Sequence, residues 1–104
     1  MKAASLDYSV KKVSVKAKAY ASKESVKVTW TKSKDYKVDG YQVYRADKKN
    51  GTYKKIAATK KTTVKNTKNL KKGKTYYYKV RGYRTMEGKK IYTKWSSKVS
   101  AKVK

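Results

Sequence analysis

Groups that could move a proton or attack a carbon are few in this chain. Its 104 residues include no His and no Cys, and only six carboxylates: Asp7, Glu24, Asp35, Asp39, Asp47 and Glu87. Asp35 and Asp39 share the stretch TKSKDYKVD, so a paired general acid and base is conceivable there. Each of the six, however, falls in or beside a predicted turn, where Asp recurs because its side chain bonds nearby backbone. They read as turn formers and local counter-ions. Without Cys the chain has neither a thiolate metal site nor a disulfide framework. The scattered carboxylates do not gather the acidic oxygens a hard cation needs, and no Gly-rich phosphate loop is present. No catalytic residue, cofactor or metal is expected, and the chain is read as non-enzymatic.

A different chemistry is concentrated in KKGKTYYYKVRGYRT, residues 71–85, with four Lys, two Arg and four Tyr. Rings interleaved with cations can stack bases or sugars, at about 1 to 3 kcal/mol per stacked base. They are equally the make-up of a strand whose cross-strand pairs contribute roughly 0.2 to 1 kcal/mol each. The alternation favours the strand, with Tyr76, Tyr78, Val80 and Gly82 on one face and Tyr77, Lys79, Arg81 and Tyr83 on the other.

The whole chain shares this charge: 31 Lys and Arg against 6 Asp and Glu, a formal +25. Only Arg45, Arg81 and Arg84 are arginine. Base edges are read best by the guanidinium fork, whereas lysine is a hydrated point charge suited to a diffuse anionic surface. A charge of this size bears on partners and solubility rather than on fold. The expected partners are polyanions such as teichoic acid, anionic polysaccharide or, without sequence preference, nucleic acid.

The elements that carry these residues follow from periodicity. The length suits one domain, and Val, Tyr and Thr fit a pleated, half-buried surface. Apolar residues make up 38% of the chain, with no Phe, so Tyr must fill much of the core. In KKVSVKAKAY, Val13, Val15, Ala17 and Ala19 alternate with Lys12, Ser14, Lys16 and Lys18. ASKES turns the chain into VKVTW, with Val26, Val28 and Trp30 facing in. GYQVYR places Tyr41 and Val43 opposite Gln42 and Tyr44. Asn50-Gly51 is the strongest hairpin signal, followed by short strands at TYKKIAAT and TTVKNT. The strand of residues 71–85 leads to a turn at MEGKK and a last strand, IYTKWSSKVSAKVK. Seven short strands with polar turns between them predict an all-β antiparallel sandwich. No window holds an apolar stripe at helical spacing. No apolar run is long enough to span a membrane, and MKAASLDYSVKK has no signal-like apolar core.

Several of these residues form a recognisable series: Trp30, Gly40-Tyr41-x-Val43, Leu70-x-x-Gly73-x-x-Tyr76-x-Tyr78-x-Val80-Arg81, and Trp95-Ser96-Ser97. The series resembles a fibronectin type III domain over about residues 10–104, with residues 1–9 left as an extension or linker. The resemblance implies an immunoglobulin-like seven-stranded sandwich with Trp30 at the core centre. It also implies a tyrosine corner made by Leu70 and Tyr76, whose hydroxyl bonds backbone. Lys72 stands where the family often has Pro. The core expected on this basis is Trp30, Tyr41, Val43, Leu70, Tyr76, Tyr78 and Val80. The third and sixth strands of such a sandwich are neighbours, so Tyr44, Tyr77, Lys79, Arg81 and Tyr83 form the candidate contact face beside Gln42. Tyr36, Tyr53 and Tyr92 read as single aromatics near turns.

The Lys-rich and Tyr-rich wording is similar to modules in surface or secreted proteins of Gram-positive bacteria. That likeness implies a non-catalytic spacer or adhesion module outside the cell, monomeric in isolation and flanked by other modules. An export signal would lie outside this sequence or have been removed. Other readings stay open: a carbohydrate-binding accessory of a glycan-degrading enzyme using the tyrosine face, a non-specific nucleic-acid binder, or an engineered scaffold.

Overall fold

The computed structural model describes residues 16–31 and 38–104. The proposed extension 1–9, Val13, Val15, Asp7, Asp35 and Tyr36 lie outside these residues, and with them any pairing of Asp35 with Asp39.

Alternation of apolar and polar side chains builds a two-layer sandwich. Strands β1 (Ala17–Ser22), β2 (Ser25–Trp30) and β5 (Thr63–Asn66) make one sheet in the order β1-β2-β5. The other sheet contains β3 (Gly40–Ala46), β4 (Lys54–Thr59), β6 (Thr75–Met86), β7 (Lys89–Tyr92) and β8 (Val99–Lys102). Its order is β4-β3-β6-β7, and β8 also pairs with β6. All pairings are antiparallel.

Between the sheets Val26, Val28 and Trp30 of β2 meet Tyr41 and Val43 of β3 and Tyr76, Tyr78 and Val80 of β6, with Ala101 and Val103 closing one end. Leu70 is half-buried and packs against this cluster. Trp30 and Tyr41 are tilted ring neighbours, their centroids 5.6 Å apart. In the absence of Phe, two fully buried tyrosines, Tyr76 and Tyr78, are the largest side chains wholly shielded from water.

The phenols of these two residues need partners. Tyr76 Oη accepts from Lys71 N at 2.8 Å and donates to the Asn69 carbonyl at 3.3 Å, which ties the loop before β6 to the core. Asn69 (φ 56°) and Gly73 (φ 83°) supply the left-handed backbone of this proline-free corner. Tyr78 Oη donates to Asn66 Oδ1 at 3.0 Å, and Arg45 donates to the same oxygen at 2.9 Å.

The turns differ in their chemistry. Glu87 and Gly88 both have positive φ, the requirement of a type I′ turn, and Met86 faces Lys89 directly across it. Asn50 and Gly51 do not adopt that geometry. They lie in the longer loop 47–53, where Gly51 N donates to the Lys48 carbonyl at 3.0 Å.

The expected last strand is broken, so the described residues form eight strands where seven were expected. Tyr92 faces Tyr83 and Val99 faces Tyr78, so seven steps along one chain run beside five along β6. Two hydroxyls make the mismatch possible by standing in for backbone carbonyls. Gly82 N donates to Thr93 Oγ1 and Val80 N donates to Ser96 Oγ, both at 2.9 Å. Thr93 N and Ser96 N still donate to the Gly82 and Val80 carbonyls, at 2.9 Å and 2.8 Å. Extra residues of this kind act as bulges that re-aim side chains. A regular strand continuing from Tyr92 would turn residue 95 toward the core, because successive side chains alternate. The bulge turns Trp95 outward instead.

Candidate functional site

The outer face of the larger sheet is built on the pairs Gln42 with Arg81 and Tyr44 with Lys79, set by the register of β3 on β6. Trp95, swung outward by the broken strand, reaches between Lys79 and Arg81. The Lys79 ammonium lies 4.1 Å from the Trp95 ring centroid and 4.6 Å from that of Tyr53. The Arg81 guanidinium lies 4.4 Å from Trp95 and 3.6 Å from Tyr92. Tyr44 meets Trp95 edge-on, centroids 4.9 Å apart. Each cation is thus shared between rings, in the contact order Tyr53, Lys79, Trp95, Arg81, Tyr92. Ring quadrupoles attract such cations by about 0.5 to 2 kcal/mol, more as water is excluded.

Arg81 is held in place by more than rings. Its Nε donates to Gln42 Oε1 at 2.9 Å and its Nη2 to Tyr44 Oη at 3.3 Å. Gln42, although on the outer face, is only 3% exposed because this cluster covers it. Lys79 is held below the usual lysine pKa, first by partial burial and then by the charges of Lys98 and Arg81. Lys98 lies 5.5 Å from the Tyr53 ring, and its ammonium donates to Asn50 Oδ1 at 3.3 Å. The Tyr53 hydroxyl donates to the Lys49 carbonyl at 2.8 Å. Its pKa is raised by burial and by the neighbouring Tyr77 phenol.

Of the five candidate contact residues, Tyr44, Lys79 and Arg81 therefore come together. Tyr77 faces Ala46 and Ser100, at the Tyr53 end. Tyr83 lies at the opposite end, stacked across Gly40, with the Lys90 ammonium 5.1 Å from its ring. Trp95, Tyr53, Tyr92 and Lys98 were absent from the expected face, and they complete it. Tyr53 and Tyr92 are not isolated surface rings. The Trp in the polar run TKWSSK was the available signal, but its direction depends on the bulge.

The carboxylates stay apart among the described residues. Asp39 Oδ2 accepts from Thr85 N at 2.6 Å, and Asp47 pairs with Lys74 at 3.4 Å. A cleft of about 370 Å³ beside Arg45, Asp47, Lys48 and Lys54 is also cationic. Its arginine is already engaged, donating to Asn66 Oδ1 and the Lys68 carbonyl. The arrangement offers cations and ring edges.

The family model for the fibronectin type III domain matches residues 9–101. No curated protein matches the sequence. Among solved structures, a Fn3-like protein from Clostridium thermocellum is 24% identical, with a TM-score of 0.64 over 86% of this chain and 88% of that one. A β-1,2-glucanase from Parabacteroides distasonis is 21% identical, with a TM-score of 0.67 over 86% of this chain. Titin kinase with its flanking domains is 18% identical, with a TM-score of 0.70 over 89% of this chain. The chain spans only 12% of the glucanase and 17% of the titin fragment, so in both the likeness is to one part of a larger protein.

Proposed function

The chain belongs to the fibronectin type III family, and from that premise we propose that it is a non-catalytic module of a longer bacterial surface or secreted protein. In this reading it serves as a spacer or adhesion unit, held near anionic wall polymers by its lysines. The observation that carries the reading is unneutralised charge. Against 31 Lys and Arg the chain has 6 acidic residues. Among the described residues a single ion pair forms, Lys74 with Asp47, and both side chains are well exposed. Most of the described lysines are exposed and pair with no carboxylate, which leaves them available to anions outside the protein.

The aromatic face supports a tether more than a sugar platform. Tyr53, Trp95 and Tyr92 already carry the protein's own cations, so a sugar ring stacking on those same ring faces competes with one. Domains of this family generally serve as non-catalytic parts of larger chains. Neighbouring modules of the same chain are the other proposed partners.

The test is a binding titration against Gram-positive wall fragments, a panel of neutral glycans and mixed-sequence DNA, each at low and physiological salt. Wall binding that fades with salt is expected. With about six to ten phosphate contacts, affinity falls by roughly 10³ to 10⁵ between 50 and 200 mM salt. Salt-independent binding of one neutral glycan would replace the tether with a sugar site. DNA binding that survives physiological salt while wall binding does not would make the module a nucleic-acid binder.

A further inference from the structure

The cation row on the outer face of β6 gathers positive charge that no carboxylate of the described residues neutralises. The Lys79 ammonium has three N–H donors. Among the described residues they meet the Trp95 and Tyr53 rings and no oxygen acceptor. Lys98, over the same Tyr53 ring, has one neutral acceptor, Asn50 Oδ1. No carboxylate of the described residues pairs with Lys79, Arg81 or Lys98.

We infer that this face holds a discrete phosphate site, in which Lys79 and Lys98 bind one phosphate group of a linear phosphodiester polymer that lacks bases. The inference rests on the tether reading and gives it a specific locus.

Three observations select this ligand. First, Lys79 is partly buried beside two like charges, which depresses its pKa. A bound anion offsets both the lost hydration and the repulsion. Second, a planar carboxylate is best met by a free guanidinium fork, and the Nε–Nη2 edge of Arg81 is already committed to Gln42 and Tyr44. The Lys79 and Lys98 ammonium groups are point charges, which suit a tetrahedral phosphate. Third, recognition of single-stranded nucleic acid relies on rings free to stack bases. Here Tyr53, Trp95 and Tyr92 are each occupied by a cation of the protein. A polymer presenting phosphates without bases meets the charges and leaves the rings as they are.

The experiment is an NMR titration of the domain with poly(glycerol phosphate), polygalacturonate and oligodeoxythymidylate at matched charge. Lys79→Met and Lys98→Met each remove one ammonium and keep an apolar stem against the rings. Lys98 is exposed, so its variant keeps the test valid if Lys79→Met folds poorly. Lys27→Met, on the outer face of the other sheet, is the comparison.

Lys79, Lys98 and Trp95 signals are expected to saturate first, with poly(glycerol phosphate) as the tightest ligand. Each site variant should weaken binding about tenfold, the loss of a charge-assisted hydrogen bond, against less than about twofold for Lys27→Met. Equal small losses in all three variants would overturn the site and leave the tether standing. So would tighter binding of polygalacturonate or oligodeoxythymidylate at the same signals. A Lys79-dependent response to poly(glycerol phosphate) with no affinity for wall fragments would keep the site and remove the tether.

Discussion

The Arg81 guanidinium stands 4.4 Å from the centroid of Trp95, on a neighbouring segment that a regular strand would have turned the other way. The contact exists because Thr93 and Ser96 lend hydroxyls to the β6 backbone and let extra residues into the pairing. Two backbone substitutions by side-chain oxygen thus decide the chemistry of the opposite face.

If that contact stabilises the domain, Arg81→Met and Trp95→Leu are not additive. A double-mutant cycle in urea should give a coupling of about 1 kcal/mol, the scale of a partly desolvated cation and ring. A coupling indistinguishable from zero would mean that the ring and the guanidinium are merely adjacent.

Much of the fold was legible in the sequence because burial follows period 2. Val26, Val28 and Trp30 alternate with Lys27 and Thr29 and have no other way to pack. Leu70 and Tyr76 were legible through a family pattern whose physical content is one hydroxyl satisfying backbone. The candidate face was legible only as far as β3 and β6 extend, because their mutual register follows from regular strands. Trp95, Tyr53 and Tyr92 join it through a bulge and a loop, where alternation no longer says which way a side chain points. The Asn50-Gly51 pair shows the same limit. It marks a turn, but the chain makes a longer loop there than the dipeptide implies.

Tyr83 and Gly40 face each other across β6 and β3, and a methyl group on Gly40 would lie 2.7 Å from the Tyr83 hydroxyl. Gly40→Ala should therefore destabilise by about 1 to 2 kcal/mol as the ring is pushed aside. In a Tyr83→Ala background the same change should be neutral, or stabilising by up to about 1 kcal/mol, since Ala is less costly than Gly within a strand. Urea midpoints of the four proteins decide the matter, and an equal loss in both backgrounds would refute the steric account.

Tyr76→Phe leaves the ring volume and removes the hydroxyl that joins Lys71 and Asn69. A loss of about 1 to 3 kcal/mol is expected, because the Lys71 amide is left without its acceptor in a half-buried place. The urea midpoint should fall with an unchanged slope. A loss below about 0.5 kcal/mol would show that water replaces the hydroxyl freely.

Self-repulsion among the cations predicts an unusual response to salt. Raising NaCl from 10 to 500 mM should raise Tm by roughly 4 to 8 °C for each 1 kcal/mol of repulsion relieved. Asp47→Asn, which removes the exposed pair with Lys74, should change stability by less than about 0.5 kcal/mol. A Tm that falls with salt would mean that attractive pairs outweigh the repulsion.

The Tyr78 phenol gives the domain an alkaline dependence whose sign is fixed by its burial. Burial pushes its pKa from 10.0 up to about 12, with Arg45 acting in the opposite direction. A pKa raised by folding means that the neutral phenol is favoured in the native state. The resulting stability is therefore complete below pH about 10 and is lost as pH rises through about 12, an effect of roughly 2 to 3 kcal/mol. Lysines discharging in the same window relieve repulsion and act oppositely, so wild-type stability alone is ambiguous. Tyr78→Phe isolates the effect, since both proteins share the lysines. At pH 8 the variant should be about 1 kcal/mol less stable, for want of the hydrogen bond to Asn66. Near pH 12 the order should reverse, because only the wild type must hold a phenol that is ionising in the core. A stability gap that stays constant from pH 8 to 12 would mean that the phenolate finds enough solvation beside Arg45 to remain where it is.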